Sequence, residues 1–303
     1  MDHFLSLADL TPDELRGLLT LAVELKEEWR ASGNRPLLKS KTLGMLFQKP
    51  SLRTRISFEM GMIHLGGQAL YLSPFEIQLG KRESVPDVAR VLSRYVDGIV
   101  ARTFSHGTVV ALAQHATIPI INGLSDAEHP CQALADLVTI QERKGRLKGL
   151  TFAYVGDANN VATSLLLGCA MTGMEFRFAA PKRYQPADEL LAAARTHGGT
   201  VTVTESPDAA VEGADVVYTD VWTSMGQEEE APQRRRAFSG YQVDSRLLSL
   251  AKRDALFMHP LPAHQGEEVA ESVLDAPQSV VFDQAENRVY AQEAILVQLL
   301  GTR

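Results

Sequence analysis

Apolar positions along the chain follow two alternating rhythms. Short unbroken apolar runs, of the kind buried parallel strands show, recur at 42–47, 69–72, 98–101, 118–121, 150–155, 176–180, 201–204, 216–218, 255–258 and 280–282. Between them, apolar residues fall at helical spacing, as in Leu15, Leu18, Leu19, Ala22 and Leu25, or Ile56, Phe58, Met62 and Leu65. The same rhythm predicts helices near 88–95, 109–115, 129–138, 161–173, 187–194, 206–212, 244–252 and 284–300. Thr11-Pro12-Asp13-Glu14 reads as a capping box with proline at the first helical position. Pro119 marks its strand as irregular or as an edge. Strand and helix alternate throughout, so the chain is expected to form two doubly wound, parallel-sheet α/β domains with an active site in the cleft between them. The expected division is 1–141 and 142–284, with the polar run 141–149 as a bridge and the last helix, 285–303, packing back on the first domain.

The run Lys49-Pro50-Ser51-Leu52-Arg53-Thr54-Arg55 lies between the first strand and the helix at 56–65. Pro50 sits in the turn, Ser51 falls at the N-cap, and Arg53 and Thr54 occupy the first helical turn. Arginines at a helix start are commonly solvated or paired with carboxylates. Here they oppose the helix dipole, and that conflict is resolved if an anion, such as a phosphoryl group, completes the site.

Ser51, Arg102, His129, Asn160, Asp220 and His259 each fall just beyond the carboxyl end of a predicted strand, the edge where open α/β sheets bind ligands. In the first half, Arg53 and Arg102 fork onto phosphate oxygens, whereas His129 and Gln132 suit a neutral carbonyl or amide. A ligand with phosphate at one end and a carbonyl at the other would use the whole set. In the second half, Asp220 with Ser224 and backbone carbonyls suits a primary ammonium, and Asn160 at a helix start suits a carboxylate. Taken alone, Asp220 reads equally as a helix cap or a loop ion pair. Gly156-Asp157-Ala158-Asn159-Asn160 is not G-x-G-x-x-G, which argues against a dinucleotide site.

Composition narrows the classes further. The 303 residues, 45% hydrophobic, suffice for two cores, and a net charge of −7 argues against a nucleic-acid or membrane-surface binder. Cys131 and Cys169 are the only cysteines, so neither a disulfide framework nor a zinc site is expected. The N-terminus lacks signal-peptide character and no apolar run approaches ~18 residues, so a cytoplasmic protein is expected.

Ser51-Leu52-Arg53-Thr54-Arg55, His129-Pro130-Cys131-Gln132, Asp220 with Ser224-Met225-Gly226, and His259-Pro260-Leu261-Pro262 together resemble the motif set of the aspartate/ornithine carbamoyltransferases. The Ser-Met-Gly turn, flanked by Gln227-Glu228, resembles the ornithine branch, and the likeness extends to Ala285-Glu286-Asn287-Arg288. The resemblance implies that carbamoyl phosphate is held by Ser51, Leu52, Arg53, Thr54, Arg102, His129, Gln132, Pro260, Leu261 and Arg288, with Gln78 reaching a neighbouring subunit's site. It implies L-ornithine binding by Asn160, Asp220, Ser224 and Met225, catalytic roles for Arg53, Arg102, His129 and Asp220, and a homotrimer or a multiple of trimers. Neither a metal nor an organic cofactor is implied, and the role of Arg55 stays open between ligand binding and support.

Three positions depart from the family pattern. Pro260 stands where ornithine enzymes usually carry cysteine, so the turn offers only the carbonyls of Pro260 and Leu261 to an amine; Leu52 replaces a common threonine, and Thr163 an asparagine or histidine. Another amine or amino acid, such as putrescine, acetylornithine or aspartate, is therefore an alternative acceptor, and a non-catalytic anion-binding protein is an alternative of another class. His259, His264 and Glu267 admit a metal reading, which Pro260 and Pro262 oppose by precluding a regular helix. Glu228-Glu229-Glu230 and Arg234-Arg235-Arg236 read as solvated loop charges.

Overall fold

A computed structural model describes residues 1–224 and 226–301. By its contacts the chain divides into two compact units, Met1–Val138 with Glu286–Arg303, and Thr139–Ala285. The first unit carries β1 (Thr42–Phe47), β2 (Gln68–Leu72), β3 (Gly98–Arg102) and β4 (Ile120–Leu124), all parallel, in the order β2-β1-β3-β4. The second carries β5 (Thr151–Val155), β6 (Glu175–Ala179), β7 (Thr200–Thr204), β8 (Val216–Thr219) and β9 (Leu256–Met258), again all parallel, in the order β7-β6-β5-β8-β9. Parallel neighbours require long crossovers, which the intervening helices supply. The inner strands β1, β3, β5 and β8 are almost wholly buried, as is the edge strand β4, whereas the edge strands β2 and β7 are partly exposed.

Each unit has its own core. Ile99, Ala101, Ile120, Val88, Val109 and Leu112 pack together in the first. In the second, Phe152, Tyr154, Phe176, Phe178 and Tyr218 stack across β5, β6 and β8, with centroids 5.1–6.4 Å apart.

The helix starts follow the expected capping chemistry. Thr11 and Glu14 make a reciprocal capping box at the Pro12–Ser32 helix, and Ser51 Oγ accepts from the Thr54 N–H at 3.3 Å at the Leu52–His64 helix. β4 lies at an edge, as Pro119 implied, but starts after the proline, since an N–H is needed to join the ladder. Its free side is partly occupied by Phe4, whose N–H donates to Ile120 O and whose carbonyl accepts from Asn122 N, both at 2.8 Å. β4 also runs on through Gly123, where a Cβ would come within 2.9 Å of Val100 Cγ2.

Two expectations fail. The run 280–282 is not a strand: the Gln284 N–H reaches Val280 O at 2.8 Å, and the helix Val281–Leu300 begins there with Phe282 turned outward. Apolar composition cannot separate a three-residue strand from a first helical turn. The polar run 141–149 does not open as a bridge, because the helix Pro130–Lys144 continues through its first four residues. Among the described residues no helix is long and apolar enough to cross a membrane.

Candidate functional site

The first unit gathers most of its expected residues at one end of its sheet. Arg102 is the last residue of β3 rather than the first beyond it, and it is 5% exposed. Thr54, His129, Gln132 and Arg288 are also buried, and Arg53 is half-buried. Arg288, on the Val281–Leu300 helix, donates from Nη2 to Thr54 Oγ1 at 3.2 Å and from Nη1 to Gln132 Oε1 at 2.6 Å. Gln132 in turn donates from Nε2 to Asp136 Oδ1 at 2.8 Å, one helical turn on. Asp136 thus orients the Gln132 amide, a role the sequence reading missed although the four-residue spacing was visible.

Electrostatics explain what this cluster is suited to hold. Burial, then the charges of Arg288 and Arg53, push the Arg102 guanidinium down to about 9. Arg102 Nε is buried with no hydrogen-bond partner among the described residues. Burial and the same three arginines hold His129 well below its ordinary 6.5, so the imidazole is neutral at pH 7. Three positive forks lie close to one neutral imidazole, and a bound anion relieves their mutual repulsion.

Other expected residues of this half stand apart. Leu52 is 75% exposed and offers the cluster only its backbone. Arg55 lies over the Tyr71 ring at 4.2 Å and pairs with Glu59 at 3.4 Å, which is a supporting position. Gln78 is exposed after the short helix Pro74–Ile77, in left-handed backbone (φ 44°), with Nε2 donating to Phe75 O at 3.4 Å.

In the second unit, Asp220 follows β8 directly and is buried. Its Oδ2 accepts from Asn159 Nδ2 at 2.7 Å and its Oδ1 from the Val221 N–H at 2.8 Å. Burial raises the carboxyl's pKa, while His259 and the Asn159 bond pull it back. Asn159, absent from the expected set, also accepts from Val161 N and Ala162 N at 3.0 Å, so it caps the Asn160–Thr172 helix that Asn160 begins. The doubled Asn159-Asn160 was the available signal, and the reading assigned only the second.

His259 is fully buried. Its Nδ1 accepts from the Leu261 N–H at 2.9 Å, so Nε2 carries the proton and faces Glu268 Oε1 at 3.2 Å. Its backbone N–H donates to Gln284 Oε1 at 2.9 Å. Leu261 sits in left-handed backbone (φ 55°) before a cis Leu261–Pro262 bond, a conformation rarely kept by a branched residue unless its surroundings hold it. His259 therefore shapes the turn that presents the Pro260 and Leu261 carbonyls.

The loop charges read as solvated are not all so. Arg234 is buried: Nη1 donates to Asp157 Oδ2 at 2.8 Å and to Trp222 O at 3.0 Å, Nε bonds Glu230 at 3.0 Å, and the guanidinium lies 5.1 Å from the Tyr184 ring centre. A single arginine in a charged run can fold inward where its fork finds a carboxylate and a carbonyl together, which composition does not reveal. Ser224, half-buried in the loop so pinned, donates its N–H to Gln227 Oε1 at 3.3 Å; Met225 lies outside the described residues. The metal reading of His259, His264 and Glu267 is not the grouping that forms. His264, Glu267 and Glu268 place ligand atoms within 4.8 Å, but Glu267 is engaged by Arg235 at 2.8 Å and Glu268 by His259 and the His264 N–H.

Comparison with known proteins bears on both units. Residues 2–142 match the carbamoyl-P binding domain of aspartate/ornithine carbamoyltransferases, and residues 148–299 match their Asp/Orn binding domain. The chain is 55% identical over 302 residues to an ornithine carbamoyltransferase of Symbiobacterium thermophilum, covering 98% of this chain and 97% of the relative. It is 52% identical over 298 residues to one from Methanoculleus marisnigri, covering 98% and 96%. Among solved structures, the ornithine carbamoyltransferase from Pyrococcus furiosus superposes with a TM-score of 0.95 at 50% identity, over 98% of this chain and 96% of that one. The enzyme of that name from Thermus thermophilus gives 0.91 at 46%, over 99% of each.

Proposed function

The chain belongs to the aspartate/ornithine carbamoyltransferase family, and from that premise we propose that it transfers the carbamoyl group of carbamoyl phosphate to the δ-amine of L-ornithine, giving L-citrulline and phosphate. The observation that carries the reading is the Arg53–Arg102–Arg288 cluster, three guanidiniums beside a neutral imidazole at the end of one sheet. The arginines, with Ser51 and Thr54 at the helix start, take the phosphate. His129, Gln132 and Arg102 take the carbamoyl group.

The step needs no group beyond these residues and the substrates. The neutral δ-amine attacks the carbamoyl carbon and a C–N bond forms. Negative charge builds on the carbonyl oxygen, where Arg102 and neutral His129 stabilise it. The C–O bond to phosphate then breaks, and the amine proton goes to the departing phosphate or to Asp220. In the second unit Asp220 holds the amino acid's ammonium, Asn160 its carboxylate, and Ser224 and Met225 complete the pocket. The carbonyls of Pro260 and Leu261 accept from the incoming amines. Because Pro260 offers no thiol, the test includes other acceptors. Colorimetric detection of carbamoylated product with ornithine, putrescine, acetylornithine and aspartate should give citrulline as the dominant product. Another carbamoylated amine accumulating without citrulline would replace ornithine as acceptor.

We further propose that the protein assembles as a homotrimer in the cytoplasm. Leu52, Ile56, Met60 and Ile63 line one side of the Leu52–His64 helix and are 36–75% exposed, an apolar stripe suited to a second copy. Gln78 reaches the neighbour's site in such an assembly. Light scattering on the purified protein should give the mass of three chains; a monomer at assay concentration rejects this.

A further inference from the structure

The Leu52–His64 and Val281–Leu300 helices both contribute to the anion cluster, and the Arg288–Thr54 bond joins them there. They are joined a second time, away from the cluster. His64, the last residue of the first helix, has Nδ1 2.7 Å from Glu293 Oε1, five residues beyond Arg288. Both side chains are buried, Glu293 completely. The Trp29 ring lies on the imidazole at 3.5 Å and 14° to its plane, and Asn34 Nδ2 donates to Glu293 Oε2 at 3.1 Å. The helices pass so closely that a Cβ on Gly61 would stand 3.2 Å from Glu293 Cγ. Among the described residues, ionisable groups around the pair include Glu28, bonded to Arg35, and Tyr290, whose hydroxyl donates to Glu286 and which Arg30 and Lys26 approach from the Pro12–Ser32 helix.

We propose that His64 and Glu293 form a positioning clamp for the phosphate site: their shared proton seats the Val281–Leu300 helix on the Leu52–His64 helix, and losing it loosens the grip of Arg288 on carbamoyl phosphate. The inference rests on Arg288 being a phosphate ligand, as proposed above. Its physical basis is the burial. Burial, reinforced by Glu28 and opposed by Asn34, pushes the Glu293 carboxyl up to about 8, while burial holds His64 below 6.5. At neutral pH the pair therefore carries a single proton on its short bond. Once that proton leaves, a buried carboxylate remains, and water reaches it only if the helices part.

The test compares wild type with Glu293→Gln, which keeps the shape and cannot ionise. The KM for carbamoyl phosphate is measured by citrulline formation from pH 6.5 to 9 at saturating ornithine. Dividing the wild-type KM by the variant's cancels titration of the substrates and of every residue the two proteins share. The ratio should be flat below pH 7 and rise about five-fold by pH 9, with the kcat ratio constant. A ratio flat across the range, while both proteins make citrulline, overturns the clamp. Wild type making no citrulline instead overturns the proposed function beneath it. If Glu293→Gln does not fold, His64→Gln serves: it should move the midpoint of the KM rise, and an unmoved midpoint is equally fatal.

Discussion

The Asn159 side chain is divided between two tasks: its amide NH2 donates to Asp220 at 2.7 Å while its oxygen accepts from two N–H groups at the start of the Asn160–Thr172 helix. The helix end fixes which way the amide faces, and so presents Asp220 with a donor that cannot turn away. Asn159→Asp separates the tasks, because aspartate caps helices as well as asparagine but offers Asp220 a second negative charge. Citrulline formation should fall roughly 5- to 150-fold, as expected for about 1–3 kcal/mol of lost hydrogen bonding, a larger loss than that in folding stability. Equal losses of activity and stability would make Asn159 a structural residue only.

Arg53→Ala removes one of the three forks from the phosphate cluster. The expected loss is about 2.7–4 kcal/mol of barrier, roughly 100- to 1000-fold in turnover, measured by colorimetric citrulline assay. Undiminished turnover would refute the role given to Arg53.

Arg234 holds the loop that contains Ser224 through the Trp222 carbonyl, and satisfies the buried Asp157 carboxylate. Arg234→Gln should raise the KM for ornithine at least ten-fold while leaving the KM for carbamoyl phosphate unchanged. Stability should drop about 3–5 kcal/mol, since Asp157 would lose its charge partner. Steady-state kinetics with each substrate varied separately, together with urea unfolding, distinguish the two effects. A matching rise in both KM values would count against a local role.

Glu293 also sets a pH dependence of folding. Its carboxyl titrates near 4.5 in the unfolded chain and about 8 in the folded one. Between those values the native state retains a proton that the unfolded chain has released, so this group's stabilisation is complete below pH 4.5 and is lost as pH rises to about 8. His64, lowered from 6.5, acts in the opposite sense over the window ending at 6.5. Urea midpoints of Glu293→Gln should therefore gain on wild type as pH climbs from 5 to 8. Parallel curves would show that Glu293 is ionised throughout.

Most strands could be read directly because their apolar runs are bounded by glycine and polar turns, and the strand-end rule placed Ser51, Arg102, His129, Asn160, Asp220 and His259 near their observed positions. What escaped were partnerships between segments distant in sequence. Nothing at Glu293 or His64 in isolation marks two residues 229 apart in the chain as a buried pair. Arg234 was hidden among three arginines, since which of them folds inward depends on where Asp157 and the Trp222 carbonyl lie. The run 280–282 failed for a local reason, as valine and phenylalanine suit a first helical turn that packs on one side as well as a strand.

Phe4 has a consequence of a different kind. Its paired bonds to Ile120 and Asn122 occupy the β4 flank of the first sheet, one of the two edges where an extended foreign peptide could add itself. The opening residues therefore guard against misassociation, and a variant lacking residues 1–5 should tend to precipitate on storage through strand addition at that exposed flank.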